Sequence, residues 1–409
     1  MSTVVAPLEA SAASTPVQTT SVFEKIGSRL SRVTSSGEFI AEIDGLRFVA
    51  IAAVVLHHIA SIYMESSARF GGEVRFPRDW RRLSDESTLI HGLWQGYFGV
   101  HLFFVISGFV LGLPFVRHHL SGRPAPSIRN YFMRRVTRIE PPYILNLLVC
   151  FGLIALWTPL YRETWQHLGA SLLYMHNLIF SRGSTINGVA WSLEIEVQFY
   201  ILAPLFARAA FAIRNHTLRR TVLTAAILGF AAFTQFVLWK TQMEGLKMSL
   251  LAYMQYFLAG FLLADLHQTG TIHNRRNSTA WDLAGITGAV LTLLTMMYWR
   301  KWLYCGLPFL VLLFYAGVFQ GRLLRRFFVA RPIVIIGGMC YTIYLYHVPI
   351  ISLCKNLMVA IAAPSLPLWA DLGIQTLVFV PLILAICSVL FVYTEKPFMG
   401  RLFKNRAPK

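Results

Sequence analysis

The sequence predicts an all-α membrane protein of about ten transmembrane helices joined by short loops. Three observations support this prediction. Hydrophobic residues make up 56% of the chain and charged residues only 14%, well below the roughly 25% that is usual in soluble domains. About ten apolar segments are long enough to cross a bilayer. Basic residues are concentrated in alternate loops, which is typical of the cytoplasmic loops of multi-span proteins.

The apolar segments are distributed along most of the chain. They lie near residues 44–64, 97–116, 141–159, 190–209, 221–239, 249–265, 280–298, 302–320, 333–354 and 372–393. A shorter apolar run at 168–180 is predicted to be re-entrant or interfacial. Because an even number of spans returns the chain to the side on which it began, both termini are predicted to be cytoplasmic.

The net charge of +18 is attributed to cytoplasmic loops and not to a nucleic-acid partner, because such loops fix orientation and contact anionic lipid. Residues 1–40 are rich in Ser, Thr, Ala and Pro, which predicts a disordered cytoplasmic tail. Residues 41–398 form the predicted transmembrane domain, and 399–409 a basic cytoplasmic tail. The five cysteines show no CxxC spacing, so neither a disulfide framework nor a metal site is expected.

Arg47 and His58 are predicted to share one face of the first span. A step of 11 residues turns an α-helix through about 1100°, or three turns plus about 20°, and rises about 16 Å. His57 lies about 80° from this face. An ionisable side chain at the depth of His58 indicates a functional site, and we interpret it as a general base that takes a proton from an attacking hydroxyl. The alternative is a structural hydrogen bond to a neighbouring helix.

Two carboxylates, Glu194 and Glu196, lie inside the fourth span. Because they are two residues apart, they point about 200° away from each other and cannot form a paired acid–base site. Glu196 shares its helix face with Ser192 and Tyr200. An inward carboxylate can orient a histidine and stabilise its charged form, or can join two helices by a hydrogen bond, and the residues alone leave both interpretations open.

Arg135 and Arg138 lie one helical turn apart, just before the third span. Such arginines either anchor the loop at the membrane surface or bind a phosphorylated ligand, for which guanidinium groups are well suited. Ser107 has no G-x-S-x-G context, so a serine nucleophile is not expected. Pro349 follows His347 closely and is predicted to free a backbone carbonyl of the ninth span.

Five motifs occur in order along the chain. They are 43–47 (IDGLR) with His58, 104–109 (FVISGF), 135–143 (RVTRIEPPY), 191–200 (WSLEIEVQFY) and 341–347 (YTIYLYH). Together they resemble the acyltransferase family 3 membrane proteins, which are bacterial O-acyltransferases of surface polysaccharides, lipopolysaccharide, Nod factors and macrolides. The resemblance covers about 40–400. Many family members also carry a C-terminal SGNH domain, which is not expected here because the sequence stops at Lys409.

The resemblance implies transfer of an acyl group from cytoplasmic acyl-CoA, with acetyl-CoA as the expected donor, to a hydroxyl of a carbohydrate or glycolipid acceptor. It implies donor binding by Arg47, Arg135 and Arg138 and catalysis by His58 and Glu196, without a metal. It also selects His58 over its neighbour and Glu196 over the other carboxylate. The family pattern differs at three positions, which are Phe48, His101 and Val197. The expected location is the bacterial inner membrane.

Two other functions remain open. A proton-coupled secondary transporter of a sugar, lipid-linked intermediate or acyl group would use His58 and Glu196 as a proton relay and would form no new ester. A membrane scaffold would bind anionic lipid or a partner enzyme through its basic loops, and substitution of His58 would leave that function intact. The sequence identifies neither the acceptor nor the acyl group, and it assigns no role to His101 or His347.

Overall fold

The structure is a computed structural model and describes residues 27–32, 39–66, 92–157, 161–272, 278–298 and 301–399. These residues form helices and connecting turns, and none of them lies in a β-strand. The predicted all-α class is confirmed. Most of the two predicted tails lies outside the described residues, as does most of the loop between the first two spans.

Sixteen α-helices are described from end to end, several of which continue into short 3-10 or π turns, and residues 27–30 and 92–94 are also helical. In chain order they are α1 (Ala41–Ser66), α2 (Gly99–Ser121), α3 (Ile128–Trp157), α4 (Tyr161–Leu172), α5 (His176–Phe180), α6 (Trp191–Phe211), α7 (His216–Ala232), α8 (Glu244–Lys247), α9 (Leu250–Gln268), α10 (Thr279–Met297), α11 (Lys301–Gln320), α12 (Leu323–Phe328), α13 (Arg331–Gly338), α14 (Cys340–Leu353), α15 (Lys355–Ala360) and α16 (Leu368–Leu390).

Nine of the described helical segments are long and apolar enough to cross a membrane, and the count is ten if α13 and α14, which pass the same test as a pair and are bent by 69°, form one broken span. Each predicted apolar segment overlaps one of these spans, so the predicted count of about ten is confirmed. The shorter predicted run at 168–180 forms the end of α4 and all of α5, which are too short to cross a membrane.

The centre of the bundle is formed by α1, α2, α9 and α14, and the lipid-facing periphery by α3, α7, α10 and α16. Close contact between α2 and α9 depends on small residues, as the 104–109 motif suggests. An added Cβ at Gly108 would overlap the carbonyl oxygen of Phe257, and one at Gly260 would overlap that of Val105. Small residues let helix backbones approach within van der Waals distance, which drives helix association in membranes.

The bend between α13 and α14 is held at both of its sides. Gly337 lies against the backbone of α1, where an added Cβ would overlap the carbonyl oxygen of Asp44. On the other side, the π turn after α16 places Glu395 so that its carboxylate accepts hydrogen bonds from the Thr342 backbone N–H (3.2 Å) and hydroxyl (2.6 Å). Glu395 thereby satisfies a backbone donor that the first turn of α14 leaves unpaired.

Pro349 frees the carbonyl of Leu345, as predicted, because a proline has no N–H to donate to the residue four positions earlier. Two buried amides fill this vacancy. Asn146 of α3 donates to the Leu345 oxygen at 3.1 Å, and Asn187 donates to it at 3.0 Å. Asn187 also donates to the Asn146 side-chain oxygen at 2.7 Å. These hydrogen bonds hold in place the part of α14 that carries His347.

The described basic clusters lie at one end of the bundle, which we name the basic end. At the basic end, side chains from segments that are distant in sequence contact each other. Arg325 of α12 donates to Glu42 of α1 at 2.8 Å, and Arg117 of α2 donates to Gln268 of α9 at 3.4 Å. The basic dipeptide at 275–276 lies outside the described residues.

Candidate functional site

A pocket at the basic end brings together four of the five predicted site residues. We name it the basic pocket. Arg47 of α1, Arg135 and Arg138 of α3, and Glu196 of α6 all line it, with Arg134 as a fourth arginine. The lining therefore holds four guanidinium groups and one carboxylate among its described residues. Such a surplus of positive charge suits an anionic ligand.

Arg47 is held by an ion pair within its own helix. Its Nη1 lies 2.5 Å from a carboxylate oxygen of Asp44, three residues earlier, and both side chains are buried. Arg32 reaches the same carboxylate at 3.3 Å. Burial, and next the positive charges of Arg47 and Arg138, lower the pKa of Arg32 from its usual value to about 9. One buried carboxylate thus partners two arginines, and the positive charge around the pocket is only partly balanced.

The two arginines of α3 are held in different ways. Arg138 lies 3.8 Å from Glu395, the residue that also caps α14. The guanidinium of Arg135 lies over the ring of Tyr131, 5.0 Å from the ring centre, and it forms no ion pair with any described residue. Guanidinium groups stack well on aromatic faces and keep their N–H groups free for an oxyanion. The stacking therefore orients the Arg135 guanidinium, but no carboxylate among the described residues forms an ion pair with it.

Glu196 faces the basic pocket together with Ser192 and Tyr200, so the predicted shared face is confirmed. Its carboxylate accepts a hydrogen bond from the hydroxyl of Ser107 on α2, and the Tyr200 hydroxyl lies beside it. Glu194 points the other way and accepts the backbone N–H of Asn177 at 2.8 Å. The two carboxylates diverge as the helical geometry requires.

Ser107 is a residue that the sequence reasoning missed. The lack of a G-x-S-x-G context argues only against a serine nucleophile, whereas Ser107 donates a hydrogen bond to a carboxylate on another span. The available signal was weak: Ser107 is a lone hydroxyl in an apolar run that belongs to one of the five ordered motifs. Its partner Glu196 is 89 residues away, so the pairing depends on how α2 and α6 pack.

His58 does not line the basic pocket and is paired with a second histidine. Its Nδ1 lies 2.9 Å from the carbonyl oxygen of Val54 and 3.2 Å from Nε2 of His347. The rings lie 4.9 Å apart at 70°. His347 is fully buried and His58 is partly exposed. We name these two residues the histidine pair.

Of the two roles that the sequence left open for Glu196, the described contacts include the hydrogen bond between helices, to Ser107, and no contact that orients His58. No hydrogen bond joins Glu196 and His58 among the described residues, and His347 occupies the position beside His58. The reason is the register of α14. Cys340, at the start of α14, lines the basic pocket beside Glu196, whereas His347 lies two turns, or about 10 Å, farther along the helix.

Tyr344 stands between the basic pocket and the histidine pair. It lines the pocket, and its ring lies 5.9 Å from that of His347. Its hydroxyl lies 2.6 Å from the Ser192 hydroxyl and donates to the carbonyl oxygen of Val189 at 2.5 Å. The pocket and the pair are thus neighbours, divided by one hydrogen-bonded aromatic side chain.

His57 and His101 lie among aromatic rings. His57 packs on Trp94, with ring centroids 4.8 Å apart, and His101 packs on Phe98 and Tyr256 at 4.5 and 4.8 Å. Neither lines the basic pocket. Within the described residues, no cluster of three or more His, Cys, Asp or Glu side chains has the arrangement of a metal site.

A family model described as an acyltransferase domain matches residues 40–393. The chain belongs to this acyltransferase family. The resemblance that the five motifs indicated is therefore confirmed, and with it the class of enzyme.

Curated relatives are similar to this chain over its membrane region. The O-acetyltransferase OatA of Staphylococcus aureus is 21% identical over 345 residues, which cover 77% of this chain and 51% of the relative. The peptidoglycan O-acetyltransferase OatA of Listeria monocytogenes is 23% identical over 349 residues, which cover 78% of this chain and 50% of the relative. The chain spans about half the length of these relatives. No solved structure matches it.

Proposed function

We propose that this acyltransferase moves an acetyl group from acetyl-CoA to a hydroxyl of a carbohydrate or glycolipid acceptor. The observation that carries the proposal is the basic pocket, with its surplus of guanidinium groups, set beside the partly exposed His58. Coenzyme A is a phosphorylated, elongated ligand. Its charged end fits the arginines, and its acyl end extends toward Tyr344 and the histidine pair. The acetyl group is proposed because curated relatives are O-acetyltransferases.

The basic end is assigned to the cytoplasm, because basic residues accumulate in cytoplasmic loops. Both termini are then cytoplasmic, the basic loops contact anionic lipid, and the donor enters from the side on which acyl-CoA is made. The acceptor reaches His58 from the opposite side of the membrane. The membrane is proposed to be the bacterial inner membrane.

In this reaction Arg47, Arg135 and Arg138 hold the phosphates of the donor. His58 takes the proton of the acceptor hydroxyl as its oxygen attacks the thioester carbonyl. The new C–O bond forms as the C–S bond breaks, and the proton passes from His58 to the departing thiolate. Glu196 remains a site residue, but its contacts assign it to the pocket wall, where it fixes Ser107 and balances part of the arginine charge.

The test is mass spectrometry of surface glycans and glycolipids from cells that lack the protein. Complementation with the wild type is expected to restore the mass of an acetyl group on one glycan class, and His58→Ala is expected not to. His118→Ala is the matched control, because His118 lies at the basic end outside the pocket, and its hydrogen bond to a described residue is to the Arg123 carbonyl oxygen.

An acylation profile that is unchanged by the deletion would contradict the proposal. The alternative of a proton-coupled transporter would then be examined by measuring proton-linked flux of sugar or lipid-linked sugar into vesicles. A restored profile with His58→Ala would keep the acyltransferase but remove His58 as its base.

A further inference from the structure

The hydrogen bonds of the histidine pair determine where each ring carries its proton. Nδ1 of His58 lies 2.9 Å from the carbonyl oxygen of Val54, and Nδ1 of His347 lies 2.9 Å from that of Ile343. A carbonyl oxygen can only accept a hydrogen bond. Both Nδ1 atoms therefore carry hydrogen, and in a neutral ring Nε2 then has a free lone pair.

The contact between the two rings follows from this assignment. Nε2 of His347, with its lone pair, accepts the Nδ1–H of His58 at 3.2 Å, so that this N–H is shared between His347 and the Val54 carbonyl. Nε2 of His58 is left with a lone pair; the hydrogen bonds of this side chain to described residues all use Nδ1, and the residue is partly exposed. It is the nitrogen of the pair that can receive a proton from substrate.

We propose that His347 is a positioning residue for His58. It holds the tautomer that leaves Nε2 of His58 basic, and it stabilises the imidazolium that forms when Nε2 takes the acceptor proton. A hydrogen bond from a charged donor is about twice as strong as one between neutral groups, so the contact strengthens as the reaction proceeds. The inference rests on the proposed function, because it gives His58 the role of the base.

A histidine is a better hydrogen-bond partner for His58 than a carboxylate, which is the partner that the sequence suggested. The site lies within the spans and His347 is fully buried, and an ionised carboxylate there would carry a large desolvation penalty in the absence of substrate. A neutral imidazole accepts the same hydrogen bond without that penalty. The backbone near His347 is also held in place, since Asn146 and Asn187 both donate hydrogen bonds to the freed Leu345 carbonyl of the same helix.

Three substitutions of His347 separate positioning from simple packing. The side-chain oxygen of Gln reaches the place of Nε2, whereas that of Asn reaches only the place of Nδ1, and Leu offers no acceptor. With purified protein in nanodiscs, we expect His347→Leu and His347→Asn to lower kcat about 10- to 100-fold, by analogy with the loss seen when the hydrogen-bond partner of a metal-binding histidine is removed. We expect His347→Gln to retain most of kcat and all three to leave KM for acetyl-CoA unchanged.

A double variant tests whether the effect passes through His58. We expect His58→Ala combined with His347→Leu to have the same residual activity as His58→Ala alone. Equal losses for Gln, Asn and Leu, or a further loss in the double variant, would overturn the inference. Melting temperature and gel-filtration profile of each variant show whether it is folded, and Gln and Asn remain informative if Leu is not.

The failure of this inference can be told apart from failure of the proposed function. If His58→Ala is inactive and His347→Leu is fully active, only the role of His347 is wrong. If His58→Ala retains full acetyl transfer, then the proposed base is wrong and the positioning role is wrong with it.

Discussion

The basic pocket and the histidine pair share two helices, α1 and α14, but differ in their charged groups and in their hydrogen-bond partners. α1 supplies Arg47 to the pocket and His58 to the pair, and α14 supplies Cys340 to the pocket and His347 to the pair. The pocket is charged, and its arginines are only partly neutralised. The pair forms no ion pair among the described residues and is hydrogen-bonded to backbone carbonyls. One span thus connects a site that can bind an anion with a site that can move a proton.

This difference gives a physical meaning to the spacing of Arg47 and His58. The shared face directs both side chains toward α14, while the rise of about 16 Å places them in different environments. A donor that spans both must be long, with its charge at one end and its reactive carbon at the other. Binding and chemistry should therefore be separable by mutation.

The largest expected effect is that of His58→Ala on turnover. Loss of a general base typically lowers the rate about 10²- to 10⁴-fold, and we expect kcat for acetyl transfer to fall within this range. The dissociation constant of CoA, measured by isothermal titration, should stay unchanged because His58 lies outside the basic pocket. Weakened CoA binding in this variant would show that the two regions are not separate.

Substitution of the arginines of α3 is expected to weaken CoA binding. Removing a charge-assisted hydrogen bond costs about 1.5–3 kcal/mol, so Arg135→Ala should weaken CoA binding about 10- to 100-fold. The wild-type affinity should also fall as salt is raised, because screening acts on partly exposed charges. Arg129→Ala is the control: it removes an exposed arginine from the same helix outside the pocket, and we expect little change. Equal effects of the two substitutions would indicate only a general surface charge.

A smaller effect is expected where the two regions meet. Tyr344→Phe removes the hydroxyl that contacts Ser192 and donates to Val189 but keeps the ring. A neutral hydrogen bond contributes about 0.5–1.5 kcal/mol, so we expect a 2- to 10-fold fall in kcat for acetyl transfer. If the hydrogen bonds of the hydroxyl hold the ring in place between the donor and water, hydrolysis of acetyl-CoA without acceptor should rise. Unchanged transfer and hydrolysis would show that Tyr344 is only a wall of the pocket.

The two regions were not equally predictable from the sequence. Arg47, Arg135, Arg138 and Glu196 were predicted from helical spacing and motif resemblance, and the structure brings them into one pocket. These predictions depend on residues within one helix turn or one motif. The spans were predictable for a similar reason, since apolar length is a local property.

The partner of His58 was not predictable, because it lies 289 residues away. The contact depends on the register between α1 and α14, and that register is set by the bend at 338–340 and by the close approach of Gly337 to Asp44. A shift of α14 by one turn would place another side chain beside His58. Nothing in the sequence around either histidine determines such a shift.

The smallest expected effect separates the two carboxylates of α6. Glu196→Gln removes a negative charge from the basic pocket, and we expect KM for acetyl-CoA to fall a few-fold because the repulsion between carboxylate and phosphate is lost. The same change replaces the carboxylate that accepts the Ser107 hydrogen bond with a weaker amide acceptor, so kcat should fall slightly. Glu194→Gln alters a carboxylate that faces Asn177, outside the pocket, and KM should stay within the error of the wild type. The two substitutions are chemically identical and two residues apart on one helix, so a difference between them can only come from which face they occupy. A rise of KM in Glu196→Gln would mean that this carboxylate holds the donor and does not merely balance the arginines.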